Sequence, residues 1–271
     1  MSADRNSSLG DLERLLKKAA ILQAGDGSLE EKLPEVAFEL QTRFQAAAQA
    51  YPFNFDGARL ELKGKVAQYV PYIFCLFLSV FRWENKKGAK AFPARMFEHL
   101  SSFAARNFLQ GEAVRFAAPR EHGLSSNFRE AVNDLCQRIG EGQGITSQKH
   151  KAGQDDTLDV VAWRDFPDKR PGKLLLFGQC AAGKNWKGKI SDLQPTDFCH
   201  LWMLETPPST LLKALFIPHQ IDLDEWRLRS VRAKLIFDRC RIAYWSHGWG
   251  RIPDEAAFAK WVAAKLQAVR G

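Results

Sequence analysis

Apolar residues in the first part of the chain recur at the spacing of amphipathic helices. Leu12, Leu15, Leu16 and Ala19 are separated by three, one and three residues, which places them on one helical face. An acid-to-base order along this segment also suits the dipole of a helix. The same kind of pattern, with a proline near the start of some segments, predicts helices over residues 9–22, 33–51, 69–83 and 92–109.

The pattern changes after about residue 120, where short apolar runs of strand length separate amphipathic segments. Strands are predicted over residues 158–163, 173–177, 211–217 and 234–237, and helices over 125–139, 195–203, 222–232 and 254–269. Alternation of helices and buried strands implies an α/β fold with a mixed sheet. We therefore expect an all-α domain over residues 1–120 and a sheet domain over residues 121–271.

The charge balance narrows the class of partner, since the 271-residue chain carries a formal net charge of +8. A basic protein favours polyanions, with nucleic acid first and acidic membrane surfaces second. The most apolar run, residues 70–81, is shorter than the roughly 20 residues that a bilayer span needs. Five scattered cysteines, an odd number without metal-finger spacing, and an N-terminus without an apolar signal core favour a reducing, cytoplasmic location.

Candidate chemistry is concentrated between residues 155 and 189. Asp159 begins one predicted strand, and Gln179 ends the next, 179 − 159 = 20 residues later. A carboxylate and an amide oxygen on neighbouring strands are hard ligands of the kind that Mg²⁺ takes. A divalent ion stabilises the charge that develops in phosphodiester hydrolysis and lowers the pKa of the attacking water. Three lysines follow the second strand, at Lys184, Lys187 and Lys189.

In this strand context, the string LDVVAW…LLLFGQCAAGKNW resembles the PD-(D/E)XK nuclease superfamily, of the Mrr-like or phage-defence effector type. The resemblance covers roughly residues 125–245 and implies a restriction-endonuclease-like mixed sheet flanked by helices. It also implies an endodeoxyribonuclease that depends on Mg²⁺, with Mn²⁺ as a substitute. Asp159, Gln179 and the backbone carbonyl of Cys180 would hold the metal, and Glu130 would be the extra acid that many members carry on the preceding helix.

The chain departs from the family pattern at the lysine. Side chains two apart on a strand share a face, so the family lysine belongs at position 181, where this chain has Ala181. Residues three apart on a helix also share a face. If Trp186 packs on the sheet, Lys189 lies along the edge of the site, and we predict that Lys189 replaces the missing lysine, with Lys184 as the second choice.

These observations favour a DNA nuclease that is the effector of a bacterial antiviral defence or restriction system. Its N-terminal part would bind a protein partner, and self-association into a homo-oligomer is compatible with this hypothesis. The alternative is a catalytically inactive module of the same fold that binds nucleic acid or a protein. In that case Asp159 caps a strand, Gln179 is a buried amide and the lysines are solvated.

A zinc site is disfavoured because the candidate ligands are irregularly spaced. Those candidates are Cys180, Cys199, His200, His219 and His247. The segment YWSHGWGR near the C-terminus is an aromatic and basic cluster that either packs internally or stacks on bases.

Overall fold

A computed structural model describes residues 6–7, 29–56, 59–81, 92–120, 123–147, 156–248, 252 and 254–270. The helix predicted over residues 9–22 lies outside these ranges. None of the helices within them is both long and apolar enough to cross a bilayer.

The N-terminal elements are not all helical, so the all-α prediction for residues 1–120 is wrong. A three-stranded antiparallel ribbon with the order β1-β3-β2 accompanies the helices. Its strands are only two or three residues long, too short for a two-residue periodicity to be visible in the sequence. The elements are β1 (Asn6–Ser7), α1 (Leu29–Ala47), β2 (Phe53–Phe55), β3 (Leu60–Leu62), α2 (Val70–Val80) and α3 (Phe92–Leu109).

The remaining elements form a five-stranded mixed sheet flanked by helices, which confirms the α/β prediction at this level. The strands are β4 (Glu112–Arg115), β5 (Val160–Arg164), β6 (Leu174–Cys180), β7 (Leu211–Phe216) and β8 (Leu235–Phe237), in that order across the sheet. The helices are α4 (Phe128–Ile139), α5 (Trp186–Lys189), α6 (Pro195–Trp202), α7 (Leu223–Ala233), α8 (Arg239–Ser246) and α9 (Glu255–Arg270).

The pairing of the strands brings the candidate residues to one edge of the sheet. β4, β5 and β6 pair antiparallel, whereas β6, β7 and β8 pair parallel. The carboxyl ends of β6 and β7 therefore lie side by side, and the amino end of β5 lies at the same edge. The segments that follow β6 and β7 therefore lie close to the segment that precedes β5.

Alternate residues of the central strands face two separate cores. Val160, Ala162 and Leu176 pack with α2, α3 and α9 on one face of the sheet. Val161 and Phe177 pack with α4 and α6 on the other. All these side chains are fully buried, as expected for a sheet that is covered on both faces.

Strand β4 precedes the predicted boundary at residue 120 but pairs along its length with β5, from Glu112 opposite Trp163 to Arg115 opposite Val160. The core on the α3 face likewise joins residues from both sides of that boundary. The sheet thus begins before residue 120, and the division into two domains at that point stays a prediction.

Helix α8 was not predicted, for a physical reason. Arg239, Cys240, Ile242 and Ala243 are all buried, so the helix is enclosed on several sides and has no amphipathic period. Its start is marked instead by Asp238, whose carboxylate accepts a hydrogen bond from the backbone N–H of Arg241 at 2.9 Å.

Candidate active-site cleft

A cleft of about 820 Å³ opens at the sheet edge where β5 begins and β6 and β7 end. One side is formed by α2 and α3, and the other by the turn after β6, helix α5 and the loop after β7. Its polar lining consists of Ser79, Glu98, Thr157, Asp159, Gln179, Cys180, Lys184, Asn185, Lys189, Asp192 and His219. The structure thus brings together five of the six residues singled out from the sequence, all except Glu130.

Asp159 is fixed at the start of β5 by backbone and side-chain bonds. Its carboxylate Oδ2 accepts a hydrogen bond from the backbone N–H of Cys180 at 2.7 Å. Its own N–H donates to the carbonyl of Gly178 at 3.0 Å, and its carbonyl accepts from the N–H of Phe116 at 2.7 Å. The carboxylate is therefore held against the last residue of β6 while the side chain still lines the cleft.

Gln179 contributes a buried amide to the same edge. The residue is 4% exposed, and its Oε1 has no hydrogen-bond donor among the residues that the structure describes. Buried side-chain oxygens nearly always have a partner, because leaving one unpaired costs free energy. An amide oxygen without a protein donor, beside a carboxylate, fits a site completed by something other than the chain, such as a cation or a water.

Glu98 on α3 supplies a second carboxylate that sequence reasoning missed. Its Oε2 accepts a hydrogen bond from Nε of Arg115 at 2.8 Å, and the Arg115 side chain is only 3% exposed. Arg115 also donates to the carbonyl of Pro119 at 2.7 Å. The buried guanidinium on β4 thus orients Glu98 in the cleft, and recognition of β4 as a strand is the signal that would have drawn attention to α3.

Glu130, the acid predicted from the helix before the strands, is not brought to the cleft. It lies in the first turn of α4, where it accepts a hydrogen bond from Oγ of Ser125 at 2.6 Å. Helix α4 packs on the opposite face of the sheet from α3. The helix that borders the cleft is α3, and the glutamate that lines the cleft is Glu98.

Position 181 is occupied by a small buried side chain at the border of the cleft. Ala181 is 2% exposed, lines the cleft and belongs to a small core with Trp186, Ile190 and Leu215. Trp186 packs on the sheet with Leu215, which fulfils the condition set for Lys189, and Lys189 lines the cleft.

The three lysines after β6 have different surroundings. Lys184 and Lys189 line the cleft, and neither forms a hydrogen bond or ion pair with any residue in the described part of the chain. Lys187 instead pairs with Glu225 of α7, with 2.8 Å between Nζ and Oε2. Two cationic groups are thus available to an anion in the cleft, and the third is engaged outside it.

His219 is a second cleft residue whose role was not anticipated. Its Nε2 lies 3.3 Å from the carbonyl oxygen of Gly183, and its ring stacks on Trp186 with 6.3 Å between centroids. Burial lowers the pKa of His219, and the nearby Arg239 and Lys184 lower it further, against the opposing effect of hydrogen bonds to the backbone of Gly183 and Ala182. The imidazole is therefore neutral at pH 7.

The Cys180 thiol does not suit nucleophilic catalysis. Burial raises its pKa well above the ordinary value, and the carboxylates of Asp159 and Glu98 raise it further. A thiol that stays protonated is a poor nucleophile.

All five cysteines are free thiols. Within the described ranges, no group of three or more histidine, cysteine, aspartate or glutamate side chains could hold a metal ion.

Comparisons of the chain with protein-family models, curated proteins and solved structures give no significant match. The resemblance to the PD-(D/E)XK superfamily consequently rests on the residues of the chain itself. The geometry of the cleft and the order of the strands are the observations from which a function is proposed.

Proposed function

We propose that the protein is a metal-dependent nuclease of the restriction-endonuclease-like fold that hydrolyses phosphodiester bonds of DNA. The observation that carries the proposal is the meeting of Asp159, Gln179 and Glu98 in one cleft with Lys184 and Lys189, for which the described residues provide no hydrogen-bond or ion-pair partner. Three oxygen-bearing side chains beside two cations are suited to a divalent ion and a phosphate.

The order of the elements supports this fold. Helix α3, the antiparallel strands β4, β5 and β6, the helical segment α5–α6 and the parallel strand β7 follow one another as in an αβββαβ core. In this reading the core begins at α3 rather than near residue 125. Helix α4 is an addition between β4 and β5, which explains why Glu130 is displaced from the site.

The residues fit Mg²⁺ or Mn²⁺. Asp159 and Glu98 provide carboxylate oxygens, and Gln179 provides a buried amide oxygen that has no donor among the described residues. One or two carboxylates with further neutral oxygens are the usual protein ligands of Mg²⁺. The backbone carbonyl of Cys180, at the same strand end, stays a proposed additional ligand.

In the proposed hydrolysis, the bound ion, Asp159 and the two lysines would have different roles. The bound ion would supply Lewis-acid stabilisation of the developing charge and a more acidic water. Asp159 is pre-oriented by the N–H of Cys180, so no side-chain rearrangement is needed to hold it. Lys184 and Lys189 would face the phosphate and neutralise charge in the transition state, an effect that is strong where water is partly excluded.

The proposed biological role is that of an effector in a bacterial antiviral defence or restriction system. Protein partners would bind through the N-terminal elements. The net charge of +8 suits a DNA substrate.

The experiment is incubation of supercoiled plasmid with the purified full-length chain in Mg²⁺, in Mn²⁺ and in EDTA. Nicking or linearisation that requires the metal is expected. The matched control is the Lys184→Ala, Lys189→Ala double variant, which should fold normally because both side chains lie outside the core, and should cleave far more slowly.

The second candidate is a catalytically inactive binding module, and Ala181, which stands where the family has a lysine, favours it. Such a module would bind DNA with an affinity that falls steeply as salt rises but would leave plasmid intact in every metal. Measurement of binding by fluorescence anisotropy in parallel with cleavage separates the two candidates.

A further inference from the structure

His219 is placed at the cleft by the parallel pairing of β6 and β7. The residue follows β7, which ends at Phe216, and the turn of residues 181–185 follows β6, which ends at Cys180. Because the two strands run side by side in the same direction, the segments that leave them meet at one edge. The histidine thus contacts a turn that lies about 36 residues earlier in the chain.

The contacts of His219 are directed at the backbone of that turn. Its Nε2 lies 3.3 Å from the carbonyl oxygen of Gly183. Since a carbonyl oxygen only accepts, the nitrogen that faces Gly183 carries the proton. The imidazole therefore donates to the peptide unit directly before Lys184.

The ring of His219 is itself held in place. It stacks on the buried Trp186 at an interplanar angle of 21°, and its own carbonyl accepts a hydrogen bond from the N–H of Arg239 at 3.4 Å. Arg239 is buried and begins helix α8. Because the ring and the backbone of His219 are both held, the histidine is able to restrain the turn after β6.

The turn also has local support, since the N–H of Trp186 donates to the carbonyl of Gly183 at 3.2 Å and Ala182 packs against the core on the α3 face of the sheet. His219 adds the contact that comes from a distant part of the chain. Ala182 and Gly183 have small or absent side chains, and glycine restricts the backbone least. Lys184, the next residue, has no hydrogen bond or ion pair within the described residues that would orient it. The position of its ammonium group therefore depends on the backbone that carries it.

We propose that His219 is a positioning residue for phosphodiester cleavage, which ties down the backbone at Gly183 and so fixes Lys184 at the cleft. This inference rests on the proposed nuclease function. His219 need not touch the substrate, and its effect passes through the carbonyl of Gly183. Misplacement of a reacting or stabilising group by about 1 Å can lower a rate by about a hundredfold.

The test compares His219→Ala with His219→Gln, because glutamine keeps an N–H donor at a similar reach. The kcat and KM for plasmid cleavage are measured in Mg²⁺. We expect His219→Ala to lower kcat by about tenfold to a hundredfold with little change in KM, and His219→Gln to recover most of the loss. His200→Ala is the matched control, since His200 is exposed on α6, and it should leave both constants unchanged.

A second readout does not depend on activity. Amide hydrogen exchange over residues 182–189 should be faster in His219→Ala than in the wild type and should return toward the wild-type rate in His219→Gln. Unchanged exchange in His219→Ala overturns the inference, and so does faster exchange with an unchanged kcat. Failure of glutamine to restore either quantity also overturns it, because the donor would then not be the essential group.

The two proposals fail in different ways. If the wild type cleaves nothing in any metal while exchange responds to the two variants as expected, the contact is correct, but the nuclease function and the positioning role in cleavage both fall. If the wild type cleaves DNA and His219→Ala matches it in kcat, the nuclease function stands and only the role of His219 is overturned.

Discussion

The backbone N–H of Cys180 donates a hydrogen bond to Oδ2 of Asp159 across a distance of 2.7 Å. This bond joins the amino end of β5 to the carboxyl end of β6 and fixes the carboxylate through the main chain. The orientation of the acid therefore does not depend on the chemical nature of the residue 180 side chain.

Replacement of Cys180 by alanine should accordingly leave cleavage within a few-fold of the wild type. The backbone N–H and carbonyl both remain, and the protonated thiol has no part in the proposed reaction. Loss of the sulfur from a packed site should lower the free energy of unfolding by about 1 kcal/mol. Plasmid cleavage and urea denaturation check the two expectations, and loss of cleavage in a folded variant would show that the thiol takes part.

Alanine variants of the three lysines should differ in cleavage rate according to whether the lysine lines the cleft. Lys189→Ala and Lys184→Ala should each lower the cleavage rate, by up to about a hundredfold for the more important of the two, the scale for loss of one preorganised charge at a transition state. Lys187→Ala is the control. Lys187 lies about 200° around the helix from Lys189, and its pair with Glu225 is exposed, so its removal should change stability little. Equal rates for all three variants and the wild type would contradict the assignment.

Variants of Glu98 and Glu130 test which glutamate is the second carboxylate of the site. Glu98→Gln should reduce metal-dependent cleavage strongly, because Glu98 lines the cleft, whereas Glu130→Gln should leave it unchanged. Glu98→Gln also weakens the partner of the buried Arg115, so thermal unfolding is recorded for both variants. A folded Glu98→Gln protein with full activity, or an inactive Glu130→Gln protein, would contradict the assignment of Glu98 to the site.

Gln179→Glu tests whether the buried amide faces a cation. A carboxylate at this position lies near Asp159 and Glu98, so without metal the variant should be less stable than the wild type, owing to burial of an unpaired charge. Mg²⁺ or Mn²⁺ should then raise its unfolding temperature by more than that of the wild type, since a ligand that binds only the folded state stabilises it. A variant that is destabilised and does not respond to either metal would indicate a purely structural amide.

The lowered pKa of His219 sets the sign of a pH effect on stability. Below the ordinary value of 6.5 the unfolded chain binds a proton that the folded chain does not. The contribution of the neutral imidazole is therefore fully present above pH 6.5 and declines as the pH falls below it. Between pH 8 and 5, the urea midpoint of the wild type should fall more than that of His219→Gln. A smaller fall in the wild type would mean that the folded state favours the charged ring.

Local sequence patterns were sufficient to predict the strands at whose ends Asp159 and Gln179 lie. The helix over residues 92–109 and the strands on either side of the β5–β6 connection follow from periodicity and composition. Asp159 directly precedes β5 and Gln179 lies near the end of the adjacent β6, only 20 residues later in the chain, so their meeting could be predicted. The same holds for Lys189, whose direction follows from the packing of Trp186 three residues earlier.

The remainder of the site depends on contacts between distant parts of the chain. Glu98 precedes Asp159 by 159 − 98 = 61 residues, and it reaches the cleft only because β4 places α3 beside β5. β4 is four residues long, and its pattern of exposure has no alternation. His219 meets Gly183 through the parallel register of β6 and β7, which no local pattern in the sequence specifies.

The most direct measurement of the proposed function is plasmid cleavage by Asp159→Asn in Mg²⁺. Asparagine keeps an oxygen that can accept from the N–H of Cys180, so this backbone donor stays paired and folding should be retained, whereas alanine would leave it unpaired at a cost of about 1–3 kcal/mol. The charge needed to hold a divalent ion is lost. We predict metal-dependent cleavage by the wild type and none by Asp159→Asn at an equal unfolding temperature. Cleavage by Asp159→Asn at the wild-type rate would contradict the proposed site.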